Sequence, residues 1–353
     1  MNLLKSFLAF FIVGLFLFAC EDESNNTYKP LYTAKFDKPN NNVYYKIGTP
    51  IDVFLSFDST QVLSFKLFLN DSLVHAAKSN NRNESVRINS SNLSFGSYVL
   101  KLEATTKSNE KKVDTRSIRI LSKYKPTKWE AEVVKSYPHN PSSYTQGLEF
   151  YKGELYEGTG QYNKSKLLKV SLENGKFERQ HAIEGNFFGE GITILNDKVY
   201  QLTWKEKTCF VYDVNDFTEE KRLGYGTEGW GLCNDGEYII MSDGSQRITF
   251  RNPETFEVVK SIDVYTDEGP VGNLNELEYV DGKIFANIYG LDKVLVINSA
   301  NGNVEVIIDA DLLALQYREE GEVLNGIAYN AQTNKFYFTG KEWTSLLEVK
   351  FNK

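Results

Sequence analysis

Hydrophobic and polar positions alternate with period two over short stretches along most of this chain, which predicts strands with one buried face. In residues 32–122 these stretches include Ile51-Asp52-Val53-Phe54-Leu55, Phe65-Lys66-Leu67-Phe68-Leu69, Ser85-Val86-Arg87-Ile88, Tyr98 to Ala104 and Ser117-Ile118-Arg119-Ile120, parted by Asn, Ser and Gly. Six or seven such strands in about 90 residues suit an immunoglobulin-like β-sandwich. It holds no clustered acid, histidine or nucleophile, so the region reads as a spacer or adhesion module. Residues 123–128, Lys-Tyr-Lys-Pro-Thr-Lys, read as a linker.

Beyond the linker the pattern repeats. Five half-apolar strands open on a paired signature: Gln146-Gly147, Glu190-Gly191, Trp230-Gly231, Asn275-Glu276 and Asn325-Gly326. The second members of these pairs are 44, 40, 45 and 50 positions apart, enough chain in each unit for one four-stranded sheet. Turn-forming pairs such as Lys152-Gly153, Asn196-Asp197, Asp235-Gly236 and Asp281-Gly282 then lead into a second apolar strand, which is hairpin chemistry. The expectation is an all-β chain: a five-bladed β-propeller over 129–353, preceded by the immunoglobulin-like sandwich. The outer strand missing from the last unit is expected from residues 129–137, which would close the ring.

In such a ring, equivalent positions share one height. Gln146, Glu190, Trp230, Asn275 and Asn325 should therefore converge at one mouth. Thirteen residues after the second member of each pair come Gly160, Trp204, Gly244 and Tyr289, and in the last repeat two extra residues move the matching place to Lys341. Consecutive strands run antiparallel, so the end of the second strand lies at the same mouth as the start of the first.

Composition narrows the class. The net charge of −7 argues against nucleic acid as a partner, and 14% aromatic residues with only 2 Met fit a β-rich protein. Residues 1–19 carry Lys5 and then an apolar run ending at Ala19, too short to span a bilayer comfortably, followed by Cys20. This resembles a bacterial lipoprotein signal, with Cys20 as the lipidated first residue of the mature chain, residues 20–31 as a tether, and a cell-envelope, outer-membrane location. The alternative is an ordinary signal peptide or a simple anchor. Cys209 and Cys233 then remain, too few for a disulfide framework. They could pair or stay as thiols, and no metal spacing joins them to His75, His139 or His181.

The stretches Tyr144-Thr145-Gln146-Gly147-Leu148, Phe188-Gly189-Glu190-Gly191-Ile192, Leu202-Thr203-Trp204, Glu228-Gly229-Trp230-Gly231, Asp243-Gly244, Leu274-Asn275-Glu276-Leu277, Leu324-Asn325-Gly326-Ile327 and Thr339-Gly340-Lys341 resemble, in order, the plant and bacterial glutaminyl cyclases. The resemblance covers residues 130–353 and leaves the sandwich outside. It implies cyclisation of N-terminal glutamine to pyroglutamate with release of ammonia, acting on peptides and proteins with a free N-terminal Gln. Carried onto matching positions, it implies Glu190 as general acid/base, Asn275 and Lys341 as polar partners at the reacting amide, and Trp204 and Trp230 as pocket walls. Gln146, Asn325, Tyr144 and Tyr289 complete the expected substrate contacts. Tyr144 stands where many relatives carry Phe, and Tyr289 where an indole is frequent.

The chemistry calls for these residue types. An α-amine attacking its own γ-carboxamide loses a proton while the departing nitrogen gains one, and one carboxylate near both can carry it. A donor such as Lys341 or Asn275 stabilises the oxyanion. Ring closure is intramolecular, so holding the side chain folded between indoles supplies much of the rate. No cofactor is required, and a structural cation in the channel is left open. Glu228, Glu276 and Glu278 read as supports and Asp243 as a turn former. The competing class is a surface propeller that binds peptide or glycan without turnover, in which Glu190 is a structural acid.

Overall fold

The computed structural model describes residues 32–79 and 81–353; the lipidation site Cys20 and the signal and tether segments lie outside them. The first region comprises β1 (Ala34–Lys38), β2 (Val43–Lys46), β3 (Ile51–Phe57), β4 (Val62–Leu69), β5 (Ser72–Lys78), β6 (Asn83–Ile88), β7 (Gly96–Thr106) and β8 (Lys111–Leu121). One sheet has the order β1-β3-β6 and the other β2-β8-β7-β4-β5. The alternation in β3, β4, β7 and β8 turns Ile51, Val53, Leu55, Phe65, Leu67, Leu100, Leu102, Ile118 and Ile120 into one shared core between the sheets.

β9 (Thr127–Pro138) begins inside the expected linker. Three four-stranded antiparallel meanders follow: β10 (Thr145–Tyr151), β11 (Glu154–Thr159), β12 (Lys166–Val170), β13 (Phe177–Ala182); β14 (Gly189–Leu195), β15 (Lys198–Thr203), β16 (Thr208–Asp213), β17 (Glu219–Gly224); β18 (Leu232–Asn234), β19 (Ile239–Ser242), β20 (Arg247–Arg251), β21 (Val258–Asp263). The remaining strands are β22 (Leu274–Val280), β23 (Lys283–Ile288), β24 (Lys293–Asn298), β25 (Val304–Asp309), β26 (Leu324–Asn330), β27 (Lys335–Gly340) and β28 (Ser345–Asn352). A short helix, α1 (Asp311–Tyr317), links β25 to β26.

β9 joins the last two units into one eight-stranded sheet. Its first residues pair in parallel with β25, Val306 opposite Thr127, and most of its length pairs antiparallel with β28, Ser345 opposite Pro138. The stretch expected to supply the missing outer strand therefore does so. The first strands pack neighbour on neighbour in the order β10, β14, β18, β22, β26 and back to β10. Accordingly β14 is buried along its whole length, whereas the outer strands β13 and β17 alternate and β21 is largely exposed.

The glycine of the repeated pair has a packing cause. A Cβ on Gly147 would stand 2.3 Å from the Ile192 nitrogen, one on Gly191 2.6 Å from the Leu232 nitrogen, and one on Gly231 2.0 Å from the Asn275 carbonyl oxygen. First strands of adjacent units touch backbone to backbone there. In the fourth unit Glu276 takes this position, and its carboxylate accepts the Leu148 N–H at 3.2 Å and the Ile327 N–H at 2.8 Å. It thereby ties the first strands of the first and last units to that of the fourth.

The sandwich packs directly on the second region. Phe95 stacks on Tyr265 with ring centroids 5.9 Å apart, Ser122 Oγ donates to Asn303 Oδ1, and Lys46 donates to the Asp267 carbonyl. Tyr265, from the segment after β21, is part of the sandwich's own core.

Candidate active site

In four of the five units the signature pair lies where the register between first and second strands slips. Thr145 faces Thr159 and Gly147 faces Gly158; Gly189 faces Thr203 and Ile192 faces Gln201; Leu274 faces Ile288 and Leu277 faces Ala286; Leu324 faces Gly340 and Ile327 faces Phe338. In each case the first strand holds one extra residue. Such a bulge re-aims side chains at the strand entrance, and here it occurs where Gln146, Glu190 and Asn275 leave the ladder for the mouth. In the third unit β18 starts only at Leu232, so Trp230 and Gly231 precede the strand.

One cavity of about 240 Å³ occupies this mouth, lined by Tyr144, Gln146, Phe188, Glu190, Trp204, Trp230, Asn275, Tyr289 and Lys341. Eight of the nine expected contacts are thus brought together. Asn325 is not among them. It lies at the seam between the last and first units, where its Nδ2 donates to the Thr145 carbonyl at 2.9 Å and to Gln146 Oε1 at 3.2 Å. Its side chain is turned to the backbone of the first unit rather than into the cavity. It contacts Gln146 from behind.

Phe188 was not singled out as a contact. It precedes Glu190 by two residues as Tyr144 precedes Gln146, so the repeat itself carried the signal. It stands edge-on to Trp204, centroids 5.6 Å apart, and to Tyr144 at 6.2 Å. Across the cavity Trp230 meets Tyr289 edge-on at 5.7 Å. Glycines make room for these rings. A Cβ on Gly160 would lie 2.5 Å from the Phe188 ring, and one on Gly244, held at φ +79°, 2.6 Å from the Trp230 indole. The two glycines among the second equivalent positions therefore accommodate a neighbour's aromatic ring.

Glu190 and Lys341 are the ionisable pair of the cavity, 5% and 3% exposed. Burial pushes the Glu190 carboxyl well above its ordinary range; the Lys341 cation opposes this, and the negative charges of Glu228 and Glu206 add to it. Burial also holds the Lys341 ammonium below its usual range, against the pull of Glu190 and Glu322. Lys341 Nζ lies 4.6 Å from the Tyr144 ring centroid and 5.4 Å from that of Tyr289. Burial, the Glu322 acceptor and that residue's charge push the Tyr144 hydroxyl up, so it stays a neutral donor, bonding Glu322 at 3.0 Å. Asn275 Oδ1 is buried without a hydrogen-bond partner among the described residues.

The cavity is held from outside. Glu228 Oε2 accepts both indole N–H groups, Trp204 at 2.8 Å and Trp230 at 3.1 Å. The fully buried Glu157 accepts from Thr145 Oγ1 at 2.7 Å and Ser143 Oγ at 3.2 Å, and contacts His139 Nε2 at 3.2 Å, which pins the segment carrying Tyr144. Cys209 and Cys233 are separate buried thiols, away from the cavity. No grouping of His, Cys, Asp and Glu suited to a metal occurs among the described residues.

A buried carboxyl raised well above its ordinary range, a cation and an amide beside it, and aromatic walls make a site for proton transfer at a small amide. The glutamine cyclotransferase family model matches residues 99–351. The match begins inside β7 and takes in all of β8, so part of the sandwich, expected to lie outside the resemblance, falls within it. Over 231 residues the chain is 34% identical to a glutaminyl-peptide cyclotransferase of Arabidopsis thaliana, covering 64% of this chain and 72% of that protein. The crystal structure of Myxococcus xanthus glutaminyl cyclase superposes with a TM-score of 0.62 at 34% identity, over 65% of this chain and 99% of that one. The chain belongs to the glutamine cyclotransferase family.

Proposed function

We propose that this protein is a glutaminyl-peptide cyclotransferase that converts the N-terminal glutamine of peptides to pyroglutamate with release of ammonia, using Glu190 as its proton carrier. Family membership and the two relatives support the activity. The observation that supports the roles is the convergence of Glu190, Lys341 and Asn275 in one aromatic cavity.

The substrate's α-nitrogen forms a bond to its own γ-carbonyl carbon, and the bond from that carbon to the carboxamide nitrogen breaks. Glu190 takes the proton that the attacking nitrogen sheds and delivers it to the departing nitrogen, so the carboxylate is regenerated each cycle. Its raised proton affinity brings it nearer to that of an amine and improves it as a base. The γ-oxygen gains charge in the tetrahedral intermediate, and Lys341 is the donor placed to stabilise it. The unpartnered Asn275 Oδ1 is an acceptor for a substrate N–H. Trp204, Trp230, Phe188, Tyr144 and Tyr289 enclose the folded side chain and shelter the ammonium before it deprotonates.

We read the five units as blades of one propeller and residues 32–122 as an immunoglobulin-like module. The Cys20 pattern supports a lipid anchor in the bacterial envelope, which acyl labelling abolished by Cys20→Ser would test. The activity itself is tested by ammonia release, with the matching mass loss, from a Gln-initiated peptide. Turnover by the wild type and none by Glu190→Gln is expected; no turnover by either would favour a peptide-binding role.

A further inference from the structure

The cavity opens onto a group of carboxylates outside it. On the side of the last unit, the segment after α1 presents Glu319, Glu320 and Glu322, and the facing turn presents Glu342. The two segments are joined by the Glu322 N–H to the Lys341 carbonyl at 2.8 Å and by Thr344 Oγ1 to Glu319 at 3.1 Å. Glu322 accepts the hydroxyl of Tyr144, a cavity wall, and Gln161 reaches Glu342 at 3.5 Å. Beyond the neighbouring Tyr162, in the second unit, Glu206 accepts the Tyr162 hydroxyl at 2.9 Å and the Phe188 N–H at 3.3 Å. These donors are neutral, and none of these five acids takes part in an ion pair among the described residues.

Nearby cations do not cancel them. Lys341 is buried and drawn to Glu190 more than to Glu322, and Arg318 is paired with Asp292. Lys205 lies over the Trp204 ring at 3.8 Å, Lys207 turns to the Gly226 carbonyl at 3.2 Å and Lys164 is exposed beyond Tyr162, three lysines against five carboxylates. An independent sign of a ligand at this mouth is Asn275, 2% exposed, lining the cavity with its Oδ1 unpartnered. At about 240 Å³ the cavity is smaller than sites that enclose drug-sized ligands, roughly 300–1,000 Å³. A cavity of that size suits one residue, so the residues after it lie at the acidic rim.

We infer that this rim makes the enzyme selective for glutamine followed by basic residues: Gln-Lys and Gln-Arg termini are its favoured substrates and Gln-Glu termini its poorest. The inference rests on the cyclase reading and names the substrate class of the same site. Carboxylates lining a mouth raise the local concentration of cationic chains and lower that of anionic ones. The effect is electrostatic, so salt screens it.

The test compares kcat/KM for peptides beginning Gln-Lys-Ala, Gln-Ala-Ala and Gln-Glu-Ala with the full chain at low and high ionic strength. The lysyl peptide should exceed the glutamyl one by about tenfold or more at low salt, and the ratio should contract as salt is raised. In a Glu319→Gln/Glu320→Gln/Glu342→Gln variant the low-salt ratio should fall toward unity while the neutral peptide is still turned over. Equal values for the three peptides, or a ratio that salt leaves unchanged, would overturn the inference with the cyclase reading intact. The salt series on the wild type decides the matter even if the triple variant fails to fold. Absence of turnover with every peptide would overturn both.

Discussion

The carboxylate of Glu228 accepts the indole N–H of Trp204 at 2.8 Å. The same oxygen accepts Trp230 at 3.1 Å, so two walls of the cavity turn on one acceptor set outside it. Hydrogen bonds to a charged group contribute about 1.5–3 kcal/mol each, enough to choose one indole rotamer over others. Glu228→Ala frees both rings, and kcat/KM should fall by roughly two orders of magnitude, with a changed tryptophan emission that substrate binding partly restores. Glu228→Gln keeps an acceptor and loses the charge. Because that charge helps to raise Glu190, this variant should retain most of its turnover with the acid limb of its pH profile moved to lower pH. An unshifted limb would count against the electrostatic half of this role.

The pH profile of kcat should be bounded by Glu190 and Lys341. Catalysis needs the Glu190 carboxylate, so activity is lost as pH falls through its pKa. Burial lifts that pKa well above 4.5, and the acid limb should lie above the ordinary carboxylate range. Lys341 acts as the ammonium, burial depresses it from 10.5, and the alkaline limb should lie below the usual lysine range. Lys341→Met removes the alkaline limb and also the cation that holds Glu190 down, so the acid limb should move further up. Loss of an oxyanion donor lowers kcat by about 10²–10³. A kcat profile whose acid limb sits at an ordinary carboxylate pKa would remove Glu190 from the central role.

Much of the site was legible because the repeat has a steric cause. Backbone contact between first strands favours glycine at Gly147, Gly191 and Gly231, and a bulge beside the pair re-aims the entrance of the first, second and fourth units, so spacing alone aligned Gln146, Glu190, Trp230 and Asn275. The antiparallel hairpin then added Trp204, Tyr289 and Lys341. Asn325 escaped because equivalent height does not fix side-chain direction, and Gly326 after it adopts φ +126°. Phe188 and Glu228 occupy one repeat position, two residues before the pair, yet one is a wall and the other an acceptor behind the walls. Repeat position places a residue and leaves its role to chemistry. The docking of the sandwich through Phe95 and Tyr265 joins residues far apart in sequence, and local patterning holds no trace of it.

Glu276 replaces glycine in the fourth repeat, and its two hydrogen bonds give the exception a purpose. Its oxygens take the N–H groups of Leu148 and Ile327, from strands of the first and last units. A buried N–H left without an acceptor costs about 1–3 kcal/mol, so Glu276→Ala should destabilise the fold by about 2–6 kcal/mol in equilibrium denaturation. Loss of less than about 1 kcal/mol would mean that nearby groups supply other acceptors.

Two more carboxyls of the first strands, Glu149 and Glu278, act on Glu276. Glu149 accepts the Ile194 N–H at 3.1 Å with each oxygen, and Glu278 accepts the Tyr329 N–H at 2.9 Å. Burial raises all three; Glu149 is pushed up to about 7, and Glu278 is raised further by the charge of Glu149. A carboxyl that binds its proton more tightly folded than unfolded stabilises the fold fully below the unfolded pKa, and that contribution is lost as pH rises through the folded one. Buried His139 acts in the same sense, since Glu157 and the Trp343 carbonyl outweigh its burial and raise it above 6.5. Carboxylates depressed by surface partners, such as Asp52 beside Arg87, exert the opposite slope, below their unfolded value of 3.8 and outside this window. The denaturation midpoint should therefore rise as pH is lowered from 8 to about 5.5. Glu278→Gln is neutral at every pH and removes the charge facing Glu149, so its stability should depend less steeply on pH over that interval. A wild-type midpoint that is flat or rises with pH would show that these carboxyls remain ionised in the folded protein, with a counter-charge beside them.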